Sequence, residues 1–242
     1  MEKAVFSLAC PDRVCYNEAN SATARSFRMR TKADTAAIVA ALKKEYPDAR
    51  CGLEHRDPWQ LLVAVRLSAQ CTDKRVNMIT PALFEAFPTP QAMAAATQEE
   101  VEALIKTCGF HHSKAKDIIA CAQKLVGEFD GQVPRDLDAL LTLPGVGRKS
   151  ANLIMGDIWG QPAIVADTHC IRLSNRMGFI ESDDPVKVEF ALKKVVAPEE
   201  SNDFCHRLVL HGRAVCTARK ANCEVCCLRT LCRTGKKTLP GK

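Results

Sequence analysis

The chain has 242 residues and a formal charge of +6, with 34 Lys plus Arg against 28 Asp plus Glu. Its hydrophobic content of 47% and charged content of 26% are typical of a folded globular protein and exclude a disordered one. The longest uncharged stretch, 86–98, contains two prolines and is shorter than the roughly 20 apolar residues that a membrane-spanning helix needs. The apolar segment 4–10 is too short for a convincing signal peptide. We therefore expect an intracellular protein that does not insert into membranes.

The first 32 residues show no hydrophobic periodicity, and arginines lie among Ser, Thr and Asn. We interpret 1–32 as a flexible N-terminal extension. A solvated tail accounts for its four arginines, and contact with a polyanion is the alternative; these are Arg13, Arg25, Arg28 and Arg30. An organellar transit segment is a further alternative, which the acidic residues Glu2, Asp12 and Glu18 disfavour.

From Ala33 onward, signals for the start of a helix recur along the chain. Asp57-Pro58, Thr89-Pro90 and Asp184-Pro185 each place a capping side chain before a proline suited to the first helical turn. The segment 97–100 reads as a capping box. Alternating strand patterns are nearly absent. The sequence therefore predicts an all-α fold of about ten short helices.

A glycine-rich turn at 143–149 separates two apolar stretches that are each predicted to be helical. Gly145 and Gly147 allow a sharp bend and bring backbone N–H groups close to a ligand. The next helix begins there, so its unpaired N–H groups and the positive end of its dipole face the same place, which suits a phosphate. Tight helix packing is the alternative reason for the glycines. The adjacent Arg148 and Lys149 favour anion binding.

Three segments together identify a family resemblance. Leu143–Ala151 reads as a helix-hairpin-helix motif, Val165–His169 contains an aspartate before Thr-His, and Leu67–Asp73 has the sequence LSAQCTD. With these segments the chain resembles the endonuclease III family of DNA glycosylases from about residue 33 to residue 233. The resemblance implies two helical domains. One is continuous over 51–161 and carries the hairpin, and the other combines 33–50 with 162–242.

The resemblance implies that Lys149 and Asp167 are the catalytic residues. In this family a lysine at the position of Lys149 attacks C1′ of a damaged nucleotide, the base leaves, and a Schiff base leads to β-elimination. The aspartate at the position of Asp167 stabilises positive charge on the sugar and assists proton transfer. An amine nucleophile must be unprotonated, which partial desolvation and nearby cations favour. Considered singly, Lys149 is equally a solvated or phosphate-pairing lysine, and Asp167 a helix cap.

Thirteen cysteines in an intracellular chain are read as free thiols or metal ligands rather than disulfides. Nine are dispersed, but Cys216, Cys223, Cys226 and Cys232 follow the spacing C-x6-C-x2-C-x5-C. Four thiolates so close together favour Zn²⁺ or an iron–sulfur cluster. The resemblance implies a [4Fe–4S] cluster, and it selects Cys226 rather than the adjacent Cys227 as the third ligand.

The resemblance also implies which residues contact DNA. Gln70 would fill the space left by a flipped nucleotide and Phe110 would wedge the base stack. Arg219 and Lys220, between the first two cysteine ligands, would contact phosphates alongside the hairpin residues Gly145, Gly147 and Arg148. The alternatives are a polar helix end for Gln70, a core position for Phe110, and a solvated pair at 219–220. His111 and His112 depart from the commoner family residues, and their roles stay open.

The implied function is a bifunctional base excision repair enzyme, a DNA glycosylase and abasic-site lyase that removes oxidised pyrimidines. Adenine-mismatch glycosylases use a glutamate where this chain has Arg66, and lack the lysine. A non-catalytic iron–sulfur DNA-binding module is the other alternative. We expect a monomer that acts on double-stranded DNA containing damaged bases or abasic sites. Its location would be the bacterial cytoplasm at the nucleoid, or the nucleus or mitochondrion of a eukaryote.

Overall fold

The computed structural model describes residues 30–239, and within that range the protein is built from α-helices joined by turns. The described residues contain no strand, and Cys216 and Ala221 form an isolated β-bridge. The all-α prediction is confirmed. The helices are α1 (Lys32–Glu45), α2 (Pro58–Leu67), α3 (Asp73–Ala86), α4 (Pro90–Ala94), α5 (Gln98–Ile105), α6 (His111–Glu128), α7 (Leu137–Leu141), α8 (Arg148–Asp157), α9 (Thr168–Met177), α10 (Pro185–Lys193), α11 (Ser201–Ala214) and α12 (Arg233–Lys236).

The helices begin where the capping signals predict. The Asp57 side chain accepts a hydrogen bond from the Gln60 amide at 2.8 Å and starts α2. Thr97 and Glu100 form the reciprocal capping box of α5. Caps of this kind satisfy amides that a helix start leaves unpaired, which makes them strong local signals. None of the helices described here is both long and apolar enough to cross a lipid bilayer.

Buried hydrophobic side chains form two separate cores. The first draws its members from Leu53 to Ala163, and the second joins side chains of α1 to a group between Ile164 and Cys232. Leu153 of α8 packs against both cores. We propose that the two cores belong to the two domains expected from the sequence, with the chain passing from one to the other next to α1 and again near residue 163.

A buried carboxylate joins the two cores at α8. Glu189 of α10 is 2% exposed and accepts two hydrogen bonds from the Arg148 guanidinium, at 2.7 and 2.9 Å. Lys193 donates to the same carboxylate at 2.7 Å. Burial alone would raise the pKa of Glu189, but the bonds from Arg148 and Lys193 outweigh it and hold that pKa below its usual value.

The folded region begins slightly before the expected boundary at residue 32. Thr31 caps α1 with a complete capping box, and Arg30 donates to the Met177 carbonyl at 2.7 Å and to the Leu231 carbonyl. These bonds attach Arg30 to the second core, so it is not part of a solvated tail. The rest of the expected extension, 1–29 with Arg13, Arg25 and Arg28, lies outside the described residues.

We expect Glu189→Gln to lower the free energy of unfolding at pH 7 by about 2 kcal/mol, because it removes the charge that both cations contact. A group with a lowered folded pKa stabilises the protein above its unfolded pKa, here near 4.5. The stabilisation is lost as the pH falls through the folded value. Urea unfolding of wild type and variant should therefore differ at pH 7 and converge towards pH 3.

The matched control is Glu181→Gln, which removes an exposed carboxylate paired with Arg233. Exposed pairs contribute about 0–1 kcal/mol, so this variant should unfold almost as wild type does. Equal effects of the two substitutions at pH 7 would contradict the importance of the buried junction.

Candidate active site

The predicted glycine hairpin is present between α7 and α8. Gly145 has φ +74°, in the left-handed region that disfavours side chains, and a Cβ there would lie 2.8 Å from Arg66 Nε. Gly147 is the N-cap of α8 in extended conformation, and no side chain caps the helix. A Cβ on Gly147 would meet nothing within 4 Å. The two glycines therefore differ: packing requires the first, while the second leaves the backbone at the start of α8 open.

An ion pair lies beneath the hairpin. Arg66 of α2 donates through Nε to Asp117 of α6 at 2.8 Å, and its Nη2 contacts the same carboxylate oxygen. The bend at Gly145 rests on this arginine. Arg66 therefore has a structural role that accounts for a cation at this position.

Arg148 is directed elsewhere than the sequence analysis expects. We predicted a DNA contact, yet its guanidinium binds Glu189 and stacks on the Phe190 ring at 5.3 Å. Its sequence neighbours gave no sign of this pairing, because Glu189 lies on a distant helix. A buried carboxylate attracts the nearest guanidinium strongly, so Arg148 serves the junction between the cores. Its side chain stays a third exposed, and contact with a phosphate is still only a prediction.

Lys149 and Asp167 line the same cavity. Its volume is about 300 Å³, and it lies between the two cores with Leu153 in its wall. Lys149 and Leu153 are four residues apart on α8, so they occupy one face of that helix. Asp167 lies at the start of α9. The cavity thus brings together the two residues predicted to be catalytic, although 18 positions separate them in the chain.

One oxygen of the Asp167 carboxylate is engaged and the other is not. Oδ1 accepts from the Cys170 amide at 2.7 Å and caps α9, as the structural interpretation expects. Oδ2 accepts no hydrogen bond from any residue in 30–239. Lys149 is exposed at the cavity, and its amine has no hydrogen bond or ion pair within that same range. Both groups therefore remain available to a ligand, and desolvation of Lys149 must come from whatever fills the cavity.

The cavity is also lined by polar residues that the sequence analysis missed. Arg213 of α11 donates to Asp73 of α3 at 2.8 Å and so connects the two cores at the cavity wall. Asp73 belongs to the LSAQCTD segment, which was a usable signal, whereas nothing in the sequence marked Arg213. His169 also lines the cavity. Burial lowers the pKa of His169, with Arg172 and Arg213 adding to the effect, so the ring is neutral at pH 7.

Gln70 and Phe110 lie on two neighbouring loops, and both have left-handed backbones. Their φ angles are 53° and 59°, an uncommon conformation for residues with side chains. Phe110 is 67% exposed, so the core alternative for it is wrong. The buried Lys114 amine donates to the Leu67 carbonyl at 2.8 Å, and Cys71 Sγ lies 3.6 Å from Cys108 Sγ. These contacts hold the two loops together, and the exposed Gln70 directly precedes Cys71, which lines the cavity.

The four spaced cysteines surround one small pocket. Cys216, Cys223, Cys226 and Cys232 all line it, and Cys227 does not. Hydrogen-bond donors already face the sulfurs: Arg176 Nη1 lies 3.2 Å from Cys216 Sγ, and the Leu228 amide lies 3.4 Å from Cys226 Sγ. Donors to thiolate sulfur are the usual surroundings of a metal–sulfur centre. The donor set therefore fits a metal centre ligated by four cysteines.

Arg219 and Lys220 lie on a short loop between the first two of these cysteines. Arg176 donates to the Thr217 carbonyl at 2.7 Å, and the Thr217 hydroxyl donates to the Lys220 carbonyl at 2.8 Å. The side chains of Arg219 and Lys220 are exposed and have no partner among the described residues. The loop thus presents two free cations on a fixed backbone.

The chain is similar to known DNA repair proteins. Residues 63–198 match the model of the HhH-GPD superfamily of base excision DNA repair proteins. The chain is 47% identical to endonuclease III of Synechocystis over 81% of this chain and 90% of that protein. It is 41% identical to endonuclease III of Escherichia coli over 85% of this chain and 98% of that protein. Among solved structures, a trapped covalent intermediate of endonuclease III with DNA has a TM-score of 0.81, 44% identity and coverage of 86% of this chain and 99% of that one.

The hairpin supplies a direct test of the geometry. Gly145→Ala should lower the free energy of unfolding by about 1–3 kcal/mol, because the new methyl group forces strain at φ +74° and displaces Arg66. Gly147→Ala is the matched control, since its backbone is extended and its surroundings are open. Urea unfolding should show a change of no more than about 0.5 kcal/mol for it. Equal losses would contradict the distinction between the two glycines.

Proposed function

Since the chain belongs to the endonuclease III family within the HhH-GPD superfamily of base excision DNA repair proteins, we propose that Lys149 and Asp167 carry out its reaction. The protein is a DNA glycosylase and abasic-site lyase for oxidised pyrimidines. The observation that supports the two residues is the shared cavity between the cores, which is lined by an amine and by a carboxylate oxygen that have no partner among residues 30–239.

The reaction assigns a covalent step to the amine of Lys149. Its nitrogen lone pair attacks C1′ of the flipped nucleotide, the bond from C1′ to the base breaks, and the base leaves with that bonding pair. The sugar ring then opens as the C1′–O4′ bond breaks and O4′ takes up a proton, and the resulting iminium ion makes the C2′ proton acidic. Loss of that proton and departure of the 3′ phosphate cut the strand, and water then hydrolyses the imine. An unprotonated amine is needed at the first step, and displacement of water by the nucleotide favours it.

Asp167 contributes through its unbound oxygen. Its position at the start of α9 is fixed by the cap to Cys170, so Oδ2 is held in place before substrate binds. A fixed negative charge stabilises the positive charge that develops on the sugar as the base leaves. The same oxygen accepts a proton from the attacking amine. The cap and the chemistry thus use different oxygens of one side chain.

The adenine-mismatch alternative is disfavoured by Arg66. That chemistry places a glutamate here, whereas Arg66 is bound to Asp117 beneath the hairpin. Lys149 also lies in the cavity, where that alternative has no lysine. The non-catalytic alternative predicts DNA binding without strand cleavage, and the trapping experiment below distinguishes it.

We propose that the partner is double-stranded DNA, bound by one copy of the chain. The open start of α8 offers backbone amides to a phosphate. Phe110 stands exposed where it can enter the base stack, and the exposed Gln70, which directly precedes the cavity residue Cys71, can occupy the vacated space. Flipping costs a few kcal/mol of stacking and pairing, which such insertions partly offset.

The family suggests an iron–sulfur centre, and we propose that it is a [4Fe–4S] cluster held by the four pocket cysteines. When bound, the cluster supplies four metal–thiolate bonds that fix the loop containing Arg219 and Lys220. Cys227 lies outside the pocket, which supports Cys226 as the third ligand. The two cations would then face DNA phosphates from a rigid loop.

Borohydride reduction of the imine tests the nucleophile. Wild type should form a stable covalent adduct with a duplex that contains an abasic site, while Lys149→Gln should form none because it has no amine. Lys124→Gln changes a partly exposed lysine on α6 that pairs with Glu128; it is the matched control and should trap as wild type does. Denaturing gels measure the adduct.

Undiminished trapping by Lys149→Gln would refute the assignment of Lys149 as the nucleophile.

The variant Asp167→Asn tests the role of the carboxylate. We expect much slower base excision with DNA binding retained, because the amide keeps the cap but carries no charge. Excision at the wild-type rate in Asp167→Asn would exclude the carboxylate from the chemistry.

Salt dependence tests the loop cations. Each neutralised phosphate contributes about −0.9 to the slope of log K against log salt. Arg219→Ala should therefore flatten the slope by about one unit in a filter-binding series with an uncleavable abasic analogue. Arg219→Lys keeps the charge and should keep the slope. A slope for Arg219→Ala equal to that of wild type would show that the loop does not touch DNA.

A further inference from the structure

Three side chains outside the active-site cavity converge at the start of α6. Glu102 lies on α5, and His111 and His112 are the first two residues of α6. One ligand atom from each of the three lies within 4.8 Å of the other two. Neither the cavity nor the four-cysteine pocket includes any of them.

The three groups lie close enough together to share one ion. His112 Nδ1 lies 2.6 Å from Glu102 Oε2. The rings of His111 and His112 are 4.1 Å apart between centroids and tilted by 36°. The other carboxylate oxygen of Glu102 accepts from Gln98 Nε2 at 2.5 Å, which orients the carboxylate from behind. Oriented ligands of this kind are typical of metal sites.

The chemistry of the set selects the class of ion. Two imidazoles and one carboxylate suit Zn²⁺ and its transition-metal neighbours rather than Mg²⁺ or Ca²⁺, which prefer oxygen. Zn²⁺ binds these atoms at about 2.0–2.2 Å, so tetrahedral ligands are roughly 3.4 Å apart. The present separations reach that spacing by small side-chain rotations, which exposure of the His112 side chain permits. The positive end of the α6 dipole opposes a cation here, and the Glu102 charge offsets it.

We propose that Glu102, His111 and His112 bind one divalent transition metal ion of the Zn²⁺ class, with water in the fourth position. The ion would join α5 to the first turn of α6. Phe110, the left-handed N-cap between them, lies inside the loop that the ion closes. Metal binding therefore stiffens the backbone that carries this exposed aromatic side chain.

Isothermal titration of the iron-loaded full chain with Zn²⁺ tests the site. Wild type should show one binding event that weakens at least about tenfold in Glu102→Gln and in the double variant His111→Asn, His112→Asn. His55→Asn is the matched control, since that histidine instead contacts the Leu53 carbonyl and should leave the event unchanged. Because free cysteines also bind Zn²⁺, anomalous scattering at the zinc edge from Zn²⁺-soaked crystals must place a peak among the three ligands.

Identical titrations for wild type and both variants, or anomalous peaks only at cysteines, would overturn the proposal. Circular dichroism and the cluster absorbance of each variant show whether it is folded and loaded. Glu102→Gln keeps the size and the Gln98 contact, so it reports ligand loss even if the double variant is unstable.

The effect of the metal ion on Phe110 is measured separately, through DNA binding, and this part of the proposal rests on the proposed function. Zn²⁺ should slow dissociation of a duplex with a tetrahydrofuran abasic analogue from wild type at least about twofold, and not from Glu102→Gln. By linkage, the duplex should increase the affinity for Zn²⁺ by the same factor by which Zn²⁺ increases the affinity for the duplex. Zinc binding without any effect on DNA would refute the coupling. Trapping by Lys149→Gln would refute the catalytic assignment and leave the zinc titration unaffected, so the two failures are distinguishable.

Discussion

The proposed mechanism depends on a lysine amine and an aspartate carboxylate that two different helix starts bring into one cavity. Lys149 is the second residue of α8 and Asp167 is the cap of α9, and the two helices belong to different hydrophobic cores. Neither group can reach the other unless the cores keep their relative position. Leu153 packs against both cores and Arg148 binds the buried Glu189, so α8 connects the two cores. The Arg213–Asp73 pair fixes the opposite wall.

Residues farther from the cavity position the segments that line it. Gly145 bends the chain over the Arg66–Asp117 pair and so sets where α8 begins. The loops of Gln70 and Phe110 are held together by the buried Lys114, whose amine loses its hydration and gains a carbonyl in exchange. Burial lowers the pKa of Lys114. Gln70 and Phe110 combine unusual, left-handed backbone angles with exposed side chains.

Local rules were enough for the elements and for part of the site. Caps such as Asp57 and Thr97 are satisfied within four residues, so the sequence alone predicts where those helices start. The glycine pattern at 143–149 likewise predicts a turn before α8. That Lys149 faces Asp167 was inferred from the family resemblance. Periodicity could not show it, because it depends on how two cores pack.

Long-range pairing explains what was missed. The pairing of Arg148 with Glu189 was missed because this carboxylate is 41 residues away on α10. Arg213 carried no signal, since its partner Asp73 lies in the other core. The residue types of Gln70 and Phe110 do not predict their left-handed backbone angles. Local sequence patterns do not predict ion pairs between segments that are distant in the chain.

Peptide mapping by mass spectrometry of the borohydride-reduced protein–DNA adduct tests the central claim most directly. After protease and nuclease digestion, the account predicts one peptide that carries the reduced sugar remnant, with the added mass on the side chain of Lys149. Location of that mass on any other lysine, or on the N-terminal amine, would contradict it.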